Sequence, residues 1–263
     1  MKKRPFLIGL MSVSLFVGAA EIATADISLA VDGVAVTEDF NSFTGTGFSP
    51  TPSAGQLDSN TYRVTGLSDG DGSFGGTHDS GDFARGTATG AVSTGGIYSF
   101  EVAPGDFAAG VQPTGSDFNS GAVTIRLSND TGVDLNYLDV QADAFFFNDA
   151  DRSTRWTFEA SLLDFDAFYV PFFSIDSEET ADIAPEWQLQ SVGGLFELPV
   201  SIANGQQVFI RITGEDLAGS GSRDQFALNE FSVTGFNAVP EPGSGMFILA
   251  GAVLLGLARR RAC

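Results

Sequence analysis

Two groups of acids near the ends of the central region have the types and spacing to share a cation. Glu38-Asp39 lies near its start, and Asp224 and Asn229-Glu230 lie near its finish. The first and last strands of an antiparallel sandwich commonly run side by side, which would bring these oxygens together. Hard oxygen ligands suit Ca²⁺, which takes about six to eight of them. Structural calcium at Glu38, Asp39, Asp224, Asn229 and Glu230 is therefore the one candidate cofactor. A second acidic stretch, Asp69-Gly70-Asp71-Gly72-Ser73, starts like a calcium-binding loop. It puts Phe74 where the loop needs glycine and Ser80 where it needs a bidentate glutamate, so the pattern fails. His78 is the only histidine. A Ser-His-Asp triad or a histidine metal site would rest on it alone, and no G-x-S-x-G or H-E-x-x-H accompanies it. Glycosidase chemistry needs two carboxylates at a set separation, which spacing along a chain does not supply. No catalytic residue is assigned, and the expectation is a protein that is not an enzyme.

The elements that must position these acids read as strands. Val123, Ile125 and Leu127 alternate with polar neighbours, as do Val208, Ile210 and Ile212. Trp156, Phe158 and Ala160 alternate too, and Phe231 and Val233 share a face ahead of Gly235. This is the period of half-buried antiparallel strands. Asn129-Asp130-Thr131-Gly132, Ala203-Asn204-Gly205 and Gly219 to Ser222 punctuate them as turns. No long helix-period segment occurs. The fold class expected is all-β, an antiparallel, jelly-roll-like β-sandwich. Ser42 to Gly96 is rich in Gly, Ser, Thr and Asp, and Tyr62, Phe74, Phe83 and Tyr98 would anchor it as ordered loops. The run Phe145-Phe146-Phe147, with Trp156 beyond it, reads either as core strand or as an exposed platform for sugar rings.

Charge narrows the partners. Between residues 26 and 238 there are seven arginines, no lysine and 31 acidic residues, a net charge of −24. Nucleic acid binding requires Lys and Arg to neutralise phosphates, so that class is excluded. The span also lacks cysteine, because Cys263 is the only one in the chain. Disulfides within the chain cannot hold it, and burial must.

The two ends speak of transport. Lys2-Lys3-Arg4, an apolar run from Pro5 to Ala20, and Ala23-Thr24-Ala25 ahead of Asp26 form the three parts of a secretory signal peptide. Cleavage is expected between Ala25 and Asp26. At the other end, 243–258 carries no charge and ends in Arg259, Arg260 and Arg261. As a helix it would be about 24 Å long, short for a hydrocarbon core of about 30 Å but extended by snorkelling arginines. Positive charge stays cytoplasmic, which would put Pro240-Glu241-Pro242 on the outer side.

Val239-Pro240-Glu241-Pro242, a short hydrophobic helix and a terminal arginine cluster resemble the PEP-CTERM sorting signal of Gram-negative bacteria. That resemblance implies an exosortase as processing partner and transient residence in the inner membrane with a periplasmic ectodomain. It further implies delivery to the cell surface or extracellular matrix, with extracellular polysaccharide at hand. A second resemblance, over about 38–236, is to a jelly-roll module of bacterial secreted proteins. It is carried by Gly115-Ser116-Asp117-Phe118, Asn148 to Arg152, and Gly221 to Leu228. The division expected is a signal peptide (1–25), a β-sandwich ectodomain (26–237) and a sorting tail (238–263). The function expected is a non-catalytic structural or polysaccharide-binding role. A secreted polysaccharide hydrolase and a self-assembling surface protein are the alternatives.

Overall fold

The structure is a computed structural model, and it describes residues 27–118, 120–162, 169–220 and 222–239. The signal segment with Ala23, Ala25 and Asp26 lies outside the described residues. So do Pro240, Glu241, Pro242, the span 243–258 and Arg259, Arg260 and Arg261. No helix among the described residues is long and apolar enough to cross a membrane.

The described elements are, in order, β1 (Ile27–Leu29), β2 (Val36–Glu38), β3 (Phe48–Ser49), β4 (Leu57–Asp58) and β5 (Tyr62–Thr65). Then come β6 (Thr87–Ala88), β7 (Gly96–Ala103), β8 (Asp106–Gln112), β9 (Ala122–Asn129) and β10 (Leu135–Phe147). The last five are β11 (Arg152–Ser161), β12 (Val170–Asp176), β13 (Trp187–Ile202), β14 (Gln207–Gly219) and β15 (Gln225–Phe236). All but β3 and β4, which pair with each other, form two layers, a β-sandwich. One sheet runs β1-β9-β14-β11-β12, with β5 also on β9; the other runs β13-β10-β15-β8-β7-β6, with β2 also on β15. The first strand, β1, pairs parallel to β9 in the other sheet, and it is the second, β2, that lies antiparallel to the last strand β15, with Glu38 opposite Phe231.

Alternation decides which residues fill the space between the sheets. Ile125, Leu127, Val208, Ile210 and Ile212 enter it from one sheet, and Leu138, Val140, Phe226, Phe231 and Val233 from the other. Trp156 is the keystone. Its ring stacks on Phe226 across the core at 4.1 Å and meets Phe118 at 5.5 Å. The phenylalanine run divides as a strand must: Phe146 faces the core against Phe226, while Phe147 packs on the opposite face against Trp187. The Gly-rich stretch from Ser42 is ordered by aromatics, with Phe43, Phe48 and Phe83 in a continuous ring contact.

Strand β15 carries one irregularity that matters for the acids. Its outer edge pairs first with β8, at Phe226 to Leu228, and then with β2, at Phe231 to Val233. The handover falls on Asn229-Glu230, where the β10 pairing slips by one residue and Glu230 takes φ +47°. Such a bulge costs a non-glycine residue some strain. Asn229 secures it: its amide donates to Asp106 at 2.8 Å and its Oδ1 accepts the Glu230 amide at 2.9 Å.

Candidate functional site

The acids expected to share an ion separate into two places. Glu38, Asp39, Asn229 and Glu230 lie around the β2–β15 junction. Asp224 precedes β15, seven residues before the partner of Glu38, and at about 3.4 Å per residue that is about 24 Å of strand. Asp224 therefore does not join the other four. Glu38 sits beside the Tyr62 hydroxyl; burial and the neighbouring Asp39 raise its pKa, and Tyr62 works against them. Asp39 accepts the Asn41 amide at 3.0 Å. Among the described residues, no three or more His, Cys, Asp or Glu side chains stand together as a metal would need.

Asp224 instead belongs to a closed polar layer at one end of the sandwich. It is 1 % exposed. Its Oδ1 accepts the Ala150 amide at 3.2 Å. Burial pushes its pKa up to about 6, and the charge of Asp149 adds to the rise. The neighbouring Arg223 is equally buried, donating to the Phe118 carbonyl at 3.1 Å and to Thr154 Oγ1 at 3.3 Å. Gln112 ties the same turn down by donating to the Arg223 carbonyl. A carboxylic acid sealed this way serves the fold, since no substrate reaches it.

The glycine-rich loop is also spoken for. His78 Nε2 accepts the Ser73 amide at 3.1 Å, and its ring stacks on Phe83 at 4.7 Å. Asp71 accepts the Gly66 amide, and Asp69 and Asp82 accept each other's backbone amides. These carboxylates shape the loop, each by closing a turn.

The accessible chemistry lies on the flank where the two sheets end, between edge strands β12 and β13. Phe172 stacks on Phe196 across this gap at 4.2 Å, and Phe173 bridges from Phe158 to Phe196. Beside them opens a cavity of about 480 Å³ lined by Val170, Phe172, Leu195, Phe196, Leu198 and Val200 among others. Leu195 is 44 % and Val200 65 % exposed. Glu197 is the one charged residue in the described lining. The amide of Gln206 is held by Ala203 and Leu162. The groove thus offers apolar walls and few polar side chains. Its polar groups are those of the backbone along β13, whose second edge carries no strand among the described residues. An extended apolar chain matches that chemistry. Sequence reasoning missed this site: Val192, Phe196 and Leu198 alternating with more exposed neighbours was its signal, interrupted by Gly193-Gly194.

β15 ends at Phe236, and Val239, the last residue described, is exposed. Residues 238–262 match the PEP-CTERM protein-sorting motif. The chain ends in a PEP-CTERM sorting signal. The PEP-CTERM chain is thereby marked for export and for membrane-associated sorting by an exosortase. A search of curated proteins finds no match to it. Among solved structures it is similar to the CBM22-1 xylan-binding domain of Xyn10C from Paenibacillus barcinonensis, at 7 % identity and TM-score 0.42, over 80 % of this chain and 99 % of that one. It is also similar to the C-terminal family 22 carbohydrate binding module of Clostridium thermocellum Xyn10B, at 13 % identity and TM-score 0.38, over 57 % and 86 %. A third is the K3 cleaved adhesin domain of Lys-gingipain from Porphyromonas gingivalis w83, at 14 % identity and TM-score 0.33, over 76 % and 91 %.

Proposed function

We propose that this PEP-CTERM protein is a non-catalytic structural and binding component of the cell surface or extracellular matrix, working in the polysaccharide layer of a Gram-negative bacterium. The observation that carries this reading is where the motif begins. The last strand closes at Phe236 and the motif starts at residue 238. Every strand of the sandwich among the described residues therefore precedes the segment that an exosortase handles. Removing the tail takes away none of the described strands, so the sandwich is free to act outside the membrane once processed. The acidic surface keeps it soluble in a crowded matrix.

The test follows the protein in the producing cell. Deleting 238–263 abolishes surface delivery, read by fractionation and surface labelling, while the exported sandwich still folds. Unaltered delivery of the deletion variant overturns the sorting half of the reading. Co-sedimentation of the processed protein with the organism's own extracellular polysaccharide tests the other half, and a protein that stays wholly in the supernatant at every polysaccharide concentration overturns it.

A further inference from the structure

We infer that the flank formed by β13 is a self-association surface, where a second copy of this chain adds its own β13 antiparallel to the first. The inference goes beyond the surface role proposed above and does not depend on it.

β13 runs for 16 residues, and among the described residues it pairs with β10 alone. Native proteins blunt long edges with lysines, prolines, bulges or a covering element, because unpaired N–H and C=O groups recruit another strand. Across Trp187 to Glu197 the only such device is one charge, Glu197; a break in register with β10 and Pro199 come after it. The exposed side of this edge carries Leu189 and Leu195, and the half-buried side carries Val192, Phe196 and Leu198, which continue into the apolar groove. Strand addition would satisfy the edge through main-chain hydrogen bonds and cover the groove with alternate side chains, the usual division of labour in such recognition.

Charge selects the occupant. The chain carries a net charge of −20, and most of its surface repels a second copy. Trp187 to Phe196 is ten residues without a charge. A basic partner would prefer the acidic faces; a second copy can approach only where there is no charge to oppose. A two-fold register centred on Gly194 pairs Val192 with the second copy's Phe196 and Gln190 with its Leu198. It also places each Glu197 opposite a serine, Ser191 of the other copy. The two Glu197 residues then stand six residues apart, about 20 Å along the strands, beyond the Debye length of about 8 Å at physiological salt. Pro199 lacks an N–H and ends the new ladder on each side. Such an interface is isologous and closes as a dimer.

The centre of this register supplies the test. Across an antiparallel pair, directly opposed Cα atoms lie about 4.5–5.5 Å apart, within the range a disulfide spans. A Cβ on Gly194 meets nothing closer than Phe196 at 3.6 Å, so cysteine fits there. The experiment uses the full chain in the producing cell, with Cys263→Ser to remove the only native thiol. Gly194→Cys in that background is expected to give a disulfide-linked homodimer under mild oxidation, resolved on a non-reducing gel. Gly115→Cys, on an open loop where an added Cβ meets nothing within 4 Å, is expected to stay monomeric. Adding Ser191→Lys and Leu195→Lys to Gly194→Cys is expected to reduce the crosslink at least tenfold while surface levels stay equal. No crosslink at Gly194, equal crosslinking at Gly115, a crosslink indifferent to the two lysines, or a crosslinked band of another mass would each overturn the proposal.

Discussion

β10 has a neighbour on each side, and the two differ sharply. β15 is buried along most of its length and paired on both edges, by β10 on one side and by β8 and β2 on the other. β13 alternates between half-buried and exposed and is paired on one edge. Both obey the same two-residue period, yet one is the middle of a sheet and the other its boundary. The difference teaches where this molecule keeps its stability and where it keeps its surface. Substitutions on β15 and the groups packed on it should unfold the protein, and substitutions on β13 should change what it meets.

The largest effect is expected at the contact that joins β15 to the opposite sheet. Trp156 is 1 % exposed and stacks on Phe226 of β15. Trp156→Ala deletes that stack and leaves a cavity among rings that cannot close over it, costing about 3–5 kcal/mol. Set against a typical total of about 5–15 kcal/mol, this brings the protein close to unfolding at ambient temperature. Urea denaturation followed by circular dichroism measures it. A midpoint within error of the parent would mean that β15 is not anchored through the core.

A smaller effect with a definite pH signature is expected at the entry to β15. The Asp224 carboxyl is raised from its ordinary 3.8 to about 6, chiefly by burial. The native state therefore holds the proton more tightly than the unfolded chain. Stability from this group is complete below about pH 4 and is lost as pH rises through 6. At about 1.4 kcal/mol per pH unit the loss is at most about 3 kcal/mol. Asp224→Asn keeps an acceptor for the Ala150 amide and carries no charge to bury. The variant should be more stable than the parent at pH 7–8 and equal to it near pH 4, read from melting temperatures across that range. A parent whose melting temperature climbs steadily from pH 4 to 7 relative to the variant contradicts the assignment.

Midway along β15, Asn229→Ala removes the clamp on the bulge and strands the Glu230 amide. The expected cost is about 1–2 kcal/mol, the scale of one buried polar group left unpaired. Hydrogen exchange should quicken at the β8 and β2 pairings and stay slow at the β10 pairing. Uniform quickening would assign Asn229 to the core rather than to the handover between edges.

The same contrast sets what could be read from the chain alone. Ile125 with Leu127, Val208 with Ile210 and Ile212, and Phe231 with Val233 announce their buried faces, because alternation is a local property. The sorting tail is legible for the same reason, as a fixed order of motif, apolar run and arginines. β13 hid because Gly193-Gly194 look like loop residues, and only the pairing with β10 makes them strand. Asp224 was grouped with Asn229 and Glu230 because they lie close in sequence. A strand extends by about 3.4 Å at every residue, so five residues carry them about 17 Å apart. Asp224 is buried beside Asp149 and Ala150, far from it in the chain, and no local pattern records that.

The smallest effect is expected on β13, and its smallness is what the comparison needs. Leu195 is an apolar residue of the same sheet as Leu228 on β15, and the two differ in exposure, 44 % against 4 %. Leu195→Lys, measured in dilute monomer, should shift unfolding by no more than about 0.5 kcal/mol, as surface positions do. Transfer of an exposed leucine to lysine gives up little burial, and the long lysine stem can lie along the groove with its charge in water. Leu228, by contrast, lies between the sheets, where a lysine would have to bury its charge. If Leu195→Lys also destabilised the monomer by several kcal/mol, β13 would be a second core strand. The leucine would then be kept for packing, and the edge would have no claim to be a surface held open for another chain.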